Sequence, residues 1–162
     1  NRSEGRPKSH YLQQSLTLLS AVHSATEPDG AVDASIARLR SRMGLPDVDR
    51  FAQSALSDPT LAGADLSDAI FSLADARFRQ GRYQEAIVVL EPLWKFRRSS
   101  MPWLLRAQCE EVLDNEAATE QALLNAVRIE PRLWRIHQKL AEFYHHRGDE
   151  RRARYHEARA VP

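Results

Sequence analysis

The sequence predicts an all-α protein, a solenoid of stacked helix hairpins, and three observations carry that expectation. Aligning Ala74, Ala107 and Ala141 brings three segments into register at spacings of 33 and 34 residues. Turn-formers Gly81, Asp114 and Gly148 then share a column, as do the small or apolar residues Ala86, Thr119 and Ala153, and Leu93, Ala126 and Ala160. Between those columns apolar residues follow the three-and-four spacing of amphipathic helices.

Each segment reads as a helix pair. Ile70, Leu73, Ala74 and Phe78 form one stripe, Gly81 ends it, and Tyr83, Ala86, Ile87, Leu90 and Leu93 form the next. In the second segment Ser100 is an expected N-cap, Pro102 suits a first helical turn, and Pro131 follows the Leu123, Ala126, Val127 face. In the third, Leu140, Ala141 and Tyr144 precede Gly148 and Asp149, and Ala153 and Ala160 follow. Alanine where two helices cross permits an interaxial distance near the short end of about 8–10 Å. No single pair can bury its own stripe, so neighbouring pairs must stack.

The pattern resembles the tetratricopeptide repeat (TPR), a 34-residue helix-turn-helix unit, over residues 67–162. Its strongest copy runs from Leu73 to Ile87; the middle copy departs from it at Asp114 and Thr119. The resemblance implies a right-handed α-solenoid of TPR-like helix hairpins, with units at 67–99, 100–133 and 134–162. Residues 1–66 would add N-terminal helices continuous with that array. There, His10–His23 reads as a helix ended by the breakers Thr26 to Gly30, Ala31–Met43 as a second and Val48–Ser57 as a third. Gly44 would stop the second helix and Asp47 cap the third; this pair is a degenerate repeat, its turn and Pro59 in place but its intervening columns unmatched. Residues 60–66 read as a short linker, and the whole chain as about nine helices.

Composition narrows function. At 162 residues and 43% hydrophobic content the chain can bury a core unaided. Net charge is +1, which gives no whole-chain case for nucleic acid or an acidic membrane. No apolar run reaches the ~18–20 residues of a membrane span. Cys109 is the one cysteine and cannot form an internal disulfide; mid-helix, it reads as a packed structural thiol. Cysteine usage leaves the compartment open between cytoplasm and periplasm. The chain opens on Asn1 instead of Met, which suggests a fragment or processed product.

No phosphate loop, serine elbow or HExxH is present, so the expectation is a protein that is not an enzyme and takes no cofactor or metal. Four of the six histidines, His137, His145, His146 and His156, fall in the last repeat without metal-ligand spacing, and read as solvated or groove-lining. Glu110, Glu111, Asp114, Glu116 and Glu120 read as a solvated acidic face. Residues 103–130 hold six acidic and two basic residues, and residues 131–162 eight basic and four acidic, which suggests electrostatic matching between adjacent repeats. Arg147, Arg151, Arg152 and Arg154 crowd one turn of the basic stretch.

The resemblance implies that first helices of successive pairs line a groove for a protein or peptide segment. By register that groove holds Phe71, Asp75 and Phe78, then Leu104, Gln108 and Glu111, then Arg135, Gln138, Lys139, Glu142 and His145. Arg135 and Lys139 fall at two positions where some relatives clamp a terminal carboxylate, but Phe71, Asp75 and Leu105 fill the other three with the wrong chemistry. The expected function is therefore a protein-protein interaction scaffold that favours an apolar or mixed segment. A second reading is a regulatory or targeting TPR appendage of a larger enzyme or cytochrome-like protein. A third is weak RNA binding by the C-terminal basic cluster. The last helix, expected at Asp149–Val161 with Ala153, Tyr155 and Ala160 uncovered, is a candidate surface for self-association.

Overall fold

The computed structural model describes residues 8–25, 29–95 and 99–161. The described residues form nine α-helices, one short 3₁₀ helix and no strand: the fold is the expected all-α one of TPR-like hairpins. Two compact units divide the chain, Asn1–Val89 and Leu90–Pro162. Of the expected breaker stretch, Thr26, Glu27 and Pro28 lie outside the described residues.

The first unit contains α1 (Lys8–Ala25), α2 (Gly30–Met43), α3 (Val48–Leu56), α4 (Gly63–Arg79) and most of α5 (Tyr83–Leu90). Asp29 caps α2, its carboxylate accepting from the N–H groups of Ala31 (2.8 Å) and Val32 (3.3 Å). Gly30 follows because α2 starts hard against the end of α3: its N–H donates to Asp58, and a Cβ there would lie 2.6 Å from the Asp58 Cβ. α4 begins at Gly63, inside the stretch expected to be a linker.

Helix α2 packs on α1, α3 and α4. Leu16 of α1 meets Ile36 and Leu39. Ala34, Ala55 and Ala69, one from each of α2, α3 and α4, are all fully buried together, so these three backbones approach where nothing larger than a methyl group intervenes. A second cluster joins Ala37, Val48, Ala52, Leu73 and Ala76, with Val89 of α5 against it.

The second unit contains the 3₁₀ helix (Glu91–Lys95), α6 (Met101–Val112), α7 (Glu116–Ile129), α8 (Trp134–His146) and α9 (Glu150–Glu157). Helix α6 packs on α7, α7 on α8 and α8 on α9. Ala107, Ala122, Leu123, Ala126, Ile136, Leu140, Tyr144 and Ala153 make one core. Helix α9 ends sooner than expected. Ala153 is fully buried and Ala160 half-buried, which leaves Tyr155 as the exposed one of the three.

Four helices end alike. Gly44, Gly81, Asp114 and Gly148 take left-handed φ values of 67, 76, 55 and 71°. Each donates its N–H three residues back, at 2.9–3.2 Å, and the following residue donates five residues back, at 2.9 Å. These are the paired bonds of a Schellman cap, which satisfy carbonyls that a helix end leaves open.

Counting back from that turn places Ala37, Ala74, Ala107 and Ala141 at one position, all buried. The same count aligns Ile36 with Leu73, Arg106 and Leu140, and Asp33 with Ile70, Trp103 and His137. Helix α2 is thus in full register with the three later first helices. The mismatch expected in the first pair comes from its turn, which spends Leu45, Pro46 and Asp47 before α3, where the others spend one residue.

Two expected caps work differently. Asp47 makes no side-chain cap bond; its own φ is 63° and its carboxylate meets Arg40 at 3.3 Å. Ser100 is helical in conformation and makes no side-chain cap bond either, because its hydroxyl is taken by Glu130.

Candidate functional site

In the second unit the register brings the expected groove residues onto the sides of α6 and α8 that face away from the core. Positions 104, 108 and 111 on α6, spaced four and three apart, correspond to 138, 142 and 145 on α8. Beside them Ala107 and Leu105, and Ala141 and Leu140, turn inward and are buried. Gln108, Glu111, Arg135, Gln138 and Lys139 are exposed, while Leu104 and Glu142 are half-buried, Leu104 packing against the core edge. Leu105, expected in the groove, belongs to the core.

The polar members bond mostly to one another. Gln138 and Lys139 each donate to Glu142 at 3.0 Å, and Lys139 beside it holds that carboxyl below its usual range. Arg135 lies over the Trp134 ring, 5.4 Å from its centroid. His145 instead reaches α9: its ring nitrogens meet Glu157 at 2.8 Å and Glu150 at 3.3 Å, contacts that raise its pKa. It ties the α8–α9 hairpin. Glu111 borders a crevice of about 290 Å³ at the α6–α7 turn, walled by Phe143 and crossed by Arg147 and Glu116, 3.6 Å apart.

In the first unit the three predicted residues sit on α4. Phe71 and Phe78 are half-buried, and Phe78 packs edge-on to Tyr83 with ring centroids 5.5 Å apart. Asp75 accepts from Ser41 of α2 and pairs with Arg79 at 2.9 Å. Ser41, Asp75 and Arg79 border a crevice of about 350 Å³ beside the α2–α3 turn, the position within its unit that the other crevice has in the second; Phe71 and Phe78 do not line it.

Several side chains are not where sequence reasoning put them. Glu110, read as solvated, is 6% exposed; it accepts from Arg106 at 3.2 Å and from Asn115 at 3.0 Å. Arg106 lies beside the Trp94 and Trp103 rings, whose centroids are 4.4 Å apart. Asp33 is almost fully buried, accepts from Ser54 and meets the His23 ring at 2.7 Å, a contact that joins α1 to α2.

His137 and His156, read as solvated or groove-lining, are both buried, with Nδ1 atoms 2.9 Å apart. Nothing in the spacing of residues 19 apart reveals that contact. The available signal was the column itself: His137 and Asp33 stand at a position where Ile70 is core.

Two of the four arginines of the basic cluster, Arg147 and Arg152, are paired with acidic side chains. Glu120 of α7 receives Arg152 at 2.7 Å, Arg147 at 3.4 Å and the Tyr144 hydroxyl at 2.8 Å, and Arg152 also pairs with Asp149 at 2.5 Å. This is charge matching between successive hairpins, as the uneven charge distribution suggested. Cys109 is fully buried, and burial, with Glu110 beside it, pushes its thiol up to about 11. Among the described residues no group of three or more His, Cys, Asp or Glu side chains could hold a metal ion, and no helix is long and apolar enough to cross a membrane.

No family model matches this sequence, and no curated protein matches it. Solved structures of MamA do resemble it. One superposes with a TM-score of 0.76 at 16% identity, covering 99% of this chain and 94% of that one. A second reaches 0.74 at 16% identity, covering 94% and 82%. A MamA designated AMB-1 reaches 0.70 at 17% identity, covering 94% and 89%. At such identity the likeness is one of fold.

Proposed function

We propose that this chain is a binding scaffold that holds a segment of another protein against the outward sides of its first helices. The observation that carries the reading is the fate of equivalent positions on α6 and α8. In two hairpins of the same register, one side closes the core while Gln108, Glu111, Arg135, Gln138 and Lys139 remain open to solvent. Helices kept in step in this way present side chains as rows, and rows suit an extended or helical segment. Leu104 would supply the apolar anchor, and Arg135 and Lys139 would orient an acidic group. Phe71, Asp75 and Phe78 on α4 would play the same part in the first unit, with Asp75 and Phe78 drawing on contacts they already make within it.

The test is capture by the intact chain. Arg135→Glu with Lys139→Glu should weaken partner capture at least tenfold, and Leu104→Ala should weaken it further, with helical circular dichroism unchanged. Equal capture by wild type and the triple variant would retire the assignment.

A further inference from the structure

We propose that the buried His137–His156 pair is a proton-sensitive latch: it holds α9 onto α8 while both rings are neutral and releases α9 in acid. Its hydrogen bonds fix the tautomers. Nε2 of His137 lies 2.9 Å from the carbonyl oxygen of Pro131, which can only accept, so that nitrogen carries the proton. Nδ1 of His137 is then a bare lone pair, and Nδ1–H of His156, 2.9 Å away, donates to it. The result is a one-way chain from α9 through α8 to the loop before α8, made entirely by neutral imidazoles.

There is no good place for one more proton. On Nδ1 of His137 it would set two N–H groups head to head. On Nε2 of His156 it would create a cation on a ring that is 7% exposed. The groups facing the pair offer no compensation. From α8 come His137 itself and the Tyr144 ring, 5.7 Å from His156. Helix α9 contributes Tyr155, whose ring centroid is 5.0 Å away. Arg159, just past the end of α9, adds positive charge. From α7 the nearby carboxylate, Glu120, is held by Tyr144, Arg147 and Arg152. Burial therefore lowers the His156 pKa to about 4, and the neighbouring His137 ring and the charge of Arg159 act in the same sense.

The coupling has a definite sign. The unfolded helix binds a proton on this ring near pH 6.5, and the docked helix does so only near 4. Docking is fully favoured above about 6.5 and weakens as pH falls from there toward 4, with no further loss from this ring below that. Helix α9 is suited to respond alone. It is eight residues long, packs on α8, and buries two side chains, Ala153 and His156. One is a methyl group, so the histidine pair is the larger of its buried attachments; the His145–Glu157 and Arg152–Glu120 pairs that also hold α9 lie at the solvent-screened surface. Release would uncover Tyr144 and Leu140, which are otherwise sealed in the core.

Amide hydrogen exchange on the full chain between pH 7 and pH 4, expressed as protection factors, tests this. The α9 amides should lose protection about tenfold per pH unit below 6.5 and level off near 4, while α7 amides hold theirs. His156→Asn keeps a donor near the Nδ1 position but cannot titrate, and should flatten that slope. If the variant does not fold, ¹⁵N NMR of the wild-type rings decides: protons on Nδ1 of His156 and Nε2 of His137, with His156 titrating well below 6.5, support the latch. A His156 ring that titrates near 6.5, α9 protection that ignores pH, or an unchanged slope in His156→Asn would overturn it.

Discussion

Glu130, at the end of α7, closes the start of α6: its carboxylate accepts both the hydroxyl and, at 3.2 Å, the N–H of Ser100. A residue 30 positions later therefore does the capping expected of Ser100 itself, and its negative charge sits at the favourable end of the helix dipole. Ser100 is fully buried, so losing the acceptor strands two donors. Glu130→Ala should lower stability by about 2 kcal/mol in urea denaturation, more than the roughly 1 kcal/mol expected for Ser100→Ala.

The left-handed turns separate backbone cost from packing cost. A Cβ on Gly148 would meet nothing within 4 Å, yet its φ is 71°. Gly148→Ala should therefore cost about 1 kcal/mol through the backbone alone. Asp114 holds the same conformation with a side chain that tolerates it, so Asp114→Gly should leave stability within about 0.5 kcal/mol of wild type while Asp114→Ala lowers it.

Cys109 should be chemically silent in the folded chain. With its thiol pushed up to about 11 and its side chain fully buried, almost no thiolate exists at pH 8 and none is accessible. Modification by an aromatic disulfide reagent should proceed at the rate of unfolding and accelerate in step with added denaturant.

Tyr144 is 1% exposed and donates its hydroxyl to Glu120 at 2.8 Å, with Arg152 over its ring 4.4 Å from the centroid. Burial and the bond to Glu120 both raise its pKa. Glu120→Ala leaves the hydroxyl proton without its acceptor, the oxygen still accepting from Arg152 at 3.3 Å, and removes the carboxylate that Arg147 and Arg152 share. The expected loss is about 1–3 kcal/mol by thermal or urea denaturation, largely from the hydroxyl, since the arginine pairs are solvent-screened.

The repeat was legible in the chain because alanine at a helix crossing and glycine at a left-handed turn are each dictated by local geometry. Ala74, Ala107 and Ala141 could be aligned from identity alone. Ala37 belonged with them and was obscured by Pro46 and Asp47, which lengthen one turn and shift every later column, although counting back from Gly44 recovers it. Polar contacts across a hairpin were not legible. Glu130 with Ser100, His156 with His137, and His23 with Asp33 depend on which helix faces meet in space, and a residue type that suits solvent is also the type that can satisfy a buried partner. The proposed binding positions on α6 and α8 were assigned from the same register that places the core, since a helix that commits one side to packing leaves the other defined. His145 was the exception, because Glu150 and Glu157 draw it toward its own hairpin.

Four helices that terminate on one identical set of backbone bonds leave the polypeptide indifferent, at those points, to the segment that comes next. A recombination event that splices the gene after one such turn codon to the sequence after another would give every helix the ending it had before, and the protein would change in length by whole hairpins. The Schellman turns thus make this chain's size something inheritance can vary in discrete steps, at little cost to the local folding of each piece.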